Sequence, residues 1–217
     1  MRLGFNVVGA IVLLLFITGF AAASPMTVVN YSFETLSRKG LPISCGGSCA
    51  YSIDAIPGWS SNGTTGQWIS GGFAGNPGAI DGNVLGYSKY GSIWQDVGTV
   101  VAGRTYTLRV ERLHRTDVLM AGEVRLEIGG VPVATASGLD GGPGSWNDWT
   151  AVYTPVLADA GKTITILLSN DFGADEADFD KVRLDNDSVA VPEPATLMML
   201  GVGLFGLLRL RRSVPRF

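Results

Sequence analysis

The chain has 217 residues, 46% of them hydrophobic and 16% charged, with 30 glycines, two cysteines and a single histidine. Five of its 16 basic residues (Arg2, Arg209, Arg211, Arg212, Arg216) and one of its 19 acidic residues (Glu193) lie at the ends, so residues 24–190 carry 11 basic against 18 acidic side chains, a net charge of −7. A domain this acidic lacks the lysine and arginine that phosphates require, which excludes nucleic acid as a partner.

At the N-terminus, Arg2 precedes an apolar run from Val7 to Phe20 and small residues at Ala21–Ser24. This is the three-part layout of a secretory signal peptide over residues 1–23, a helix removed by signal peptidase between Ala23 and Ser24. A retained membrane helix is the alternative, and the shortness of the run argues against it. Export makes Cys45 and Cys49, in CGGSC, a disulfide pair. A metal site there would need more ligands, and His114 is distant in sequence. A bridge closing so few residues pins a local loop and adds little to global stability.

From residue 58 to 82 the chain is dense in Gly, Ser and Asn (GWSSNGTTGQWISGGFAGNPGAIDG). This composition predicts a long surface loop with at most a short strand around Gln67–Ile69. Strands follow at Val84–Tyr87 and Ser92–Val97. Alternation then places Tyr106, Leu108 and Val110 on one face of TYTLRVE, and Val124, Leu126 and Ile128 on one face of EVRLEI. Gly129 and Gly130 join the second of these to a strand at Val131–Ala136 as a hairpin. WTAVYT (Trp149, Ala151, Tyr153), TITILLS (Ile164, Ile166, Leu168) and a closing strand at Phe179–Leu184 complete the pattern. About nine or ten short strands in one domain predict an all-β fold of two antiparallel sheets.

The acidic run DFGADEADFD holds Asp171, Asp175, Glu176, Asp178 and Asp180. Acids on one short segment do not face each other across a substrate, and the run lacks the EF-hand spacing. It is expected to be a solvated turn or a weak calcium loop. No serine sits in a Gly-x-Ser-x-Gly elbow, and His114 stands alone at a strand end. The protein is therefore expected not to be an enzyme. Tryptophan is the best hint of a ligand, because an indole stacks on the C–H face of a sugar ring. Trp68 in the Gly/Ser loop and Trp94 in YGSIWQD, with Tyr90 beside it, are expected to be exposed, and binding through them to rest on stacking rather than charge. Trp59 and Trp149 fit core positions, and Trp146 fits either. The alternative is that all five pack the core.

The chain closes on VPEPATLMMLGVGLFGLLRLRR, Val191 to Arg212. As a helix, Ala195–Leu208 would span about 21 Å, short of the roughly 30 Å hydrocarbon core. The arginines that follow hold the far end in the cytoplasm. Pro192, Glu193 and Pro194, the apolar stretch and the arginine cluster together resemble the PEP-CTERM sorting signal, over residues 191–217. The resemblance implies a membrane-embedded exosortase that cuts near the Pro-Glu-Pro. It also implies temporary anchoring in the inner membrane, release to the cell surface or exterior, and a host that makes exopolysaccharide. A permanent membrane anchor is the alternative.

Four further stretches, VVNYSFE (Val28–Glu34), IPGW (Ile56–Trp59), WNDWTAVYT (Trp146–Thr154) and DFDKVRLDN (Asp178–Asn186), resemble the jelly-roll, galactose-binding-like sandwiches of carbohydrate-binding modules. That resemblance implies a jelly-roll β-sandwich over residues 24–190. It also implies a structural calcium between the opening and closing strands, with Glu34 and Asp180 as side-chain ligands. Lys181 stands where a second acid is common, and solvated carboxylates are the alternative. The function implied is a non-catalytic exported protein that binds or structures exopolysaccharide. A glycan-active hydrolase or a permanently anchored surface protein is the rival.

Overall fold

Alternation of apolar and polar residues pays off only where two sheets can share the apolar faces, and the computed structural model has that arrangement. It describes residues 23–119, 122–137, 141–170 and 175–188. The two expected terminal helices, the Pro192-Glu193-Pro194 motif and Asp171 lie outside these residues. The strands are β1 (Ala23–Met26), β2 (Ile43–Gly46), β3 (Cys49–Tyr51), β4 (Ser60–Ser61), β5 (Thr64–Ile69), β6 (Leu85–Lys89), β7 (Ser92–Thr99), β8 (Arg104–His114), β9 (Glu123–Ile128), β10 (Val131–Ser137), β11 (Ser145–Tyr153), β12 (Thr163–Ser169) and β13 (Ala177–Ser188). The larger sheet runs β11-β8-β13-β6-β5-β3-β2 with β1 also paired to β13, and the smaller runs β10-β9-β12-β7-β4. All pairings are antiparallel. The fold is an all-β sandwich of two antiparallel sheets, as the alternation predicts.

The inner faces carry the expected residues. Tyr106, Leu108 and Val110 of β8, with Trp149 and Ala151 of β11, meet Val124, Leu126 and Ile128 of β9 and Ile164, Ile166 and Leu168 of β12 in one buried cluster. The β9–β10 hairpin turns through Gly129 and Gly130, both at positive φ (58° and 77°), the conformation a two-residue hairpin demands.

Two motifs distant in sequence lock together at one end of the core. Phe33 and Trp59 stack with ring centroids 5.5 Å apart, and the Trp59 indole N–H donates to the Asn30 carbonyl at 3.2 Å. The Asn30 side chain accepts from the Thr35 amide and donates to the Pro57 carbonyl. The backbone amide of Val182, on β13, donates to the Tyr31 carbonyl at 2.8 Å, tying the closing strand to the opening segment.

The expected surface loop at residues 58–82 is a correction. It contains β4 and β5, and β5 lies inside the larger sheet between β6 and β3. Its sequence, TTGQWI, hides the strand because both faces are covered. Gln67 points inward and its amide donates to the carbonyls of Phe33 and Thr35. Trp68 points outward and is buried by other segments of the same chain. A strand covered on both sides shows no alternation of polarity.

Candidate functional site

The outer face of the larger sheet is not left to solvent. By strand alternation it carries Thr64, Gly66 and Trp68 of β5, Leu85, Tyr87 and Lys89 of β6, Tyr51 beside them on β3, and Leu113 of β8. Trp68, Leu85, Tyr87, Leu113 and Cys49 form a second buried apolar cluster, separate from the core between the sheets. Gly66 makes the packing feasible: a Cβ there would sit 1.9 Å from the Ser52 carbonyl oxygen and 2.9 Å from the Tyr87 ring. Tyr87 therefore lies across β5 and donates its hydroxyl to that carbonyl at 2.7 Å. Burial pushes its phenol pKa up.

Above this floor is a cavity of about 310 Å³. Tyr51, Trp68, Phe73 and Tyr87 give it aromatic walls, Thr64, Lys89, Arg115 and Glu176 give it polar groups, and the Cys45–Cys49 bridge closes one side. Phe73, from the segment after β5, is 38% exposed, so its ring is open to a ligand. Trp68 is not: it is 3% exposed and the Arg115 guanidinium lies 4.6 Å over its ring.

Arg115 is the hub of the site's electrostatics. It donates to both oxygens of Asp117 (3.0 and 2.7 Å) and to Glu176 at 2.5 Å, and its Nε is 3.9 Å from Asp178. Asp117 is partly buried, but the hydrogen bonds from Arg115 and Asn76 prevail and hold its pKa down. Asp178 is fully buried beside Tyr87 and Leu113 on neighbouring strands. Burial first, and then the Glu176 charge, push its pKa well above the carboxylate range, against the opposing pull of Arg115. Asp178 is thus biased toward its protonated form, and Glu176, two residues along the chain, stands at the cavity wall. The solvated turn expected for the acidic run is corrected here, since Asp178 and Asp180 are both 0% exposed. Sequence reasoning also missed Arg115, Phe73 and Tyr51. Nothing in their local sequence shows that three separate segments meet over β5.

The residues singled out from sequence divide between the two sheets. Cys45 and Cys49 are bridged, as expected. Trp68 lies on the larger sheet, buried rather than exposed, because Arg115 and the β2–β3 hairpin cover it. Tyr90 is 60% exposed at the β6–β7 turn, with the Lys89 ammonium 5.6 Å from its ring centroid. Trp94 lies on the outer face of the smaller sheet, half-buried and paired to Ser60 and Leu167. The structure therefore does not bring Trp68 and Trp94 into one site.

Glu34 and Asp180 do converge, but on backbone amides. Asp180 accepts from the amides of Ile80, Asp81 and Lys181, and Glu34 from those of Asn83 and Val84. Together they clamp residues 80–84. The amide donors occupy oxygen lone pairs that a calcium would use. Among the described residues no group of three or more His, Cys, Asp or Glu side chains is placed to hold an ion.

Comparisons with known proteins follow this geometry. The HpiC1-like family, described as HpiC1 cyclase, matches residues 24–185, and the PEP-CTERM protein-sorting motif matches residues 190–212. A solved cyclase from Fischerella sp. TAU is 18% identical and superimposes with a TM-score of 0.64, covering 78% of this chain and 100% of that one. A cyclase from the same organism, in complex with 4-(1H-indol-3-yl)butan-2-one, is 20% identical, with a TM-score of 0.64 and the same coverage. A xylan-binding domain from Paenibacillus barcinonensis is 10% identical with a TM-score of 0.45, covering 79% and 98%. At these identities the cyclase likeness shows the fold alone. A search of curated proteins gave no match. The sorting motif marks the protein as an exported surface protein processed by an exosortase.

Proposed function

The chain belongs to the HpiC1-like family over residues 24–185, and from the lining of its cavity we propose that it is a non-catalytic binding protein that takes one ring of an exopolysaccharide. The observation that carries this reading is the cavity of about 310 Å³ with the open Phe73 ring and the partly buried Tyr51 ring beside Thr64, Lys89 and Glu176. Aromatic faces take the C–H face of a sugar, and the polar groups take its hydroxyls. A half-open cavity of this size has room for about one sugar ring. On this reading signal peptidase removes residues 1–23. Residues 195–208 hold the chain in the inner membrane until the exosortase cuts near Pro192–Pro194, and the domain is then released into the matrix.

Two measurements test the proposal. Isothermal titration with host exopolysaccharide, and with oligosaccharides made from it by partial acid hydrolysis, should give saturable binding without new reducing ends. Release of reducing ends would replace this reading with the hydrolase. Mass spectrometry of extracellular protein should find a C-terminus near Val191–Pro194, and a chain retaining Arg209–Phe217 would sink the processing step.

A second reading rests on Glu176 at the cavity wall, held by Arg115, with the buried Asp178 beside it pushed toward its protonated form by burial. An acid beside an aromatic cavity is equipped for proton-transfer chemistry on a flat, apolar substrate. Binding of 4-(1H-indol-3-yl)butan-2-one in preference to any sugar, lost in Glu176→Gln, would favour this reading over the first.

A further inference from the structure

The outer face of the smaller sheet carries a groove that the cavity described above does not use. We propose that this groove is a separate binding site for a protonated amino sugar. It is lined by Asn62, Ser92, Trp94, Asp96, Glu127, Thr165 and Leu167, and has a volume of about 340 Å³.

Strand register builds it. Trp94 of β7 is paired directly with Leu167 of β12 and with Ser60 of β4, and Leu167 is paired in turn with Arg125 of β9. Ser60 and Ser92 are small and leave one side of the indole clear of bulk. Trp94 and Leu167 are the apolar members of a lining otherwise made of Ser, Thr, Asn and acidic side chains. The core gains nothing from a tryptophan there, because Ile93 and Gln95, its neighbours on β7, already face inward. A half-buried indole on a wet sheet face is suited to a ligand with a flat, C–H-rich side.

Charge selects among such ligands. Asp96 stands two residues along β7 from Trp94, so its side chain is on the same face. One of its oxygens accepts from the Thr165 hydroxyl at 2.6 Å, which fixes the carboxylate in orientation. Glu127 is also on this wall, tethered through one oxygen to Arg125 at 3.1 Å. The groove thus presents an indole and one oriented carboxylate, Asp96, that no ion pair engages among the described residues, while Glu127 beside it is already paired with Arg125. An ammonium on a sugar ring meets both demands: the ring stacks on Trp94 while the charge is drawn to Asp96 and to the indole face. An anionic or N-acetylated ring meets only one. The net charge of −7 on residues 24–190 favours approach of the same ligand.

The test uses the full exported protein and tryptophan fluorescence. Glucosamine tetrasaccharide should bind and perturb the emission, and N,N′,N″,N‴-tetraacetylchitotetraose should bind about tenfold more weakly or not at all. Raising the salt concentration should weaken the first and leave the second unchanged. Trp94→Phe and Asp96→Asn should each weaken glucosamine binding about fivefold or more, while Phe73→Ala, in the other cavity, should leave it unchanged. Asp96→Asn keeps an acceptor for Thr165, so its loss reports on charge rather than on folding. Equal binding of the two tetrasaccharides, equal binding of spermidine, or insensitivity to both groove variants would overturn the proposal. So would a binding loss caused by Phe73→Ala.

Discussion

The two outer faces of this sandwich are built by the same alternation, yet one is buried and the other is wet. The larger sheet is roofed by the β2–β3 hairpin and its bridge, by the segment around Phe73 and by Arg115, so ionisable groups beneath them lose water. Among the described residues the smaller sheet has no such roof over Trp94, and Arg125 lies between Glu123 and Glu127 with its side chain 24% exposed. The same residue types therefore differ in consequence. Arg115 neutralises charge that cannot be hydrated and so is structural. The Arg125 pairs are partly screened and contribute little to stability. A roofed face makes a cavity that can exclude water, whereas a bare face makes a groove whose recognition depends on charge in water.

Removing the cation from the roofed face should have the largest effect. Arg115→Ala leaves Asp178, Glu176 and Asp117 without their shared partner and uncovers Trp68. We expect a loss of about 3–5 kcal/mol, read as a fall in Tm of roughly 10 °C at pH 7. The equivalent change on the bare face, Arg125→Ala, should cost about 1 kcal/mol or less. Equal losses would erase the contrast between the faces.

The bridge is next. Replacing Cys45 and Cys49 by serine removes a wall of the larger sheet's cavity but closes only a short loop. Stability should fall by at most about 2 kcal/mol, while ligand binding in the cavity should fall more than stability does. Calorimetry and titration on the same variant compare the two, and intact binding after reduction would show that the wall is dispensable. Phe73→Ala should be smaller still in stability, since the ring is 38% exposed. Its effect should appear as about a tenfold loss of cavity binding with the groove untouched.

The narrowest effect is on pH dependence, because it is confined to the window between about pH 4 and pH 6.5. Asp180 is pushed up to about 6 by burial, partly offset by the amides of Asp81, Lys181 and Ile80. Folded protein thus holds this proton more tightly than unfolded chain, whose aspartates titrate near about 3.9. Its contribution to stability is present below about pH 4 and is lost as pH rises through 6. Asp180→Asn should narrow the difference in Tm between pH 4 and pH 6.5 by roughly 4–8 °C. An unchanged slope would assign the pH dependence of the larger sheet to Asp178 and its neighbours.

How far the sequence was legible depends on how many faces of a strand are covered. β7, β9, β10 and β12 each have one wet face, and their alternation located them within a residue or two. β5 is covered on both faces, and only its end, Gln67–Ile69, was legible as a strand within a segment otherwise read as loop. β2 and β3 are too short for any period to appear, although the Cys45–Cys49 pairing between them was legible from spacing and export. For the candidate site, Trp94 was placed on a solvent-facing surface by its neighbours. Trp68 was misjudged because the Gly- and Ser-rich composition around it describes flexible chain equally well as chain packed close to a ring, as Gly66 is against Tyr87.

The sequence by itself determined the all-β class, the inner-face residues, the bridge and the sorting tail. Each of these follows from local periodicity, local spacing or a contiguous motif. Only the tertiary structure decided which outer face would be roofed. That outcome rests on contacts between segments far apart in sequence: Arg115 over Trp68, Glu34 on the amides of residues 83 and 84, and Asp180 on those of 80 and 81. Burial then set the charges, since a carboxylate's pKa depends on the water and partners around it and not on its neighbours in the chain.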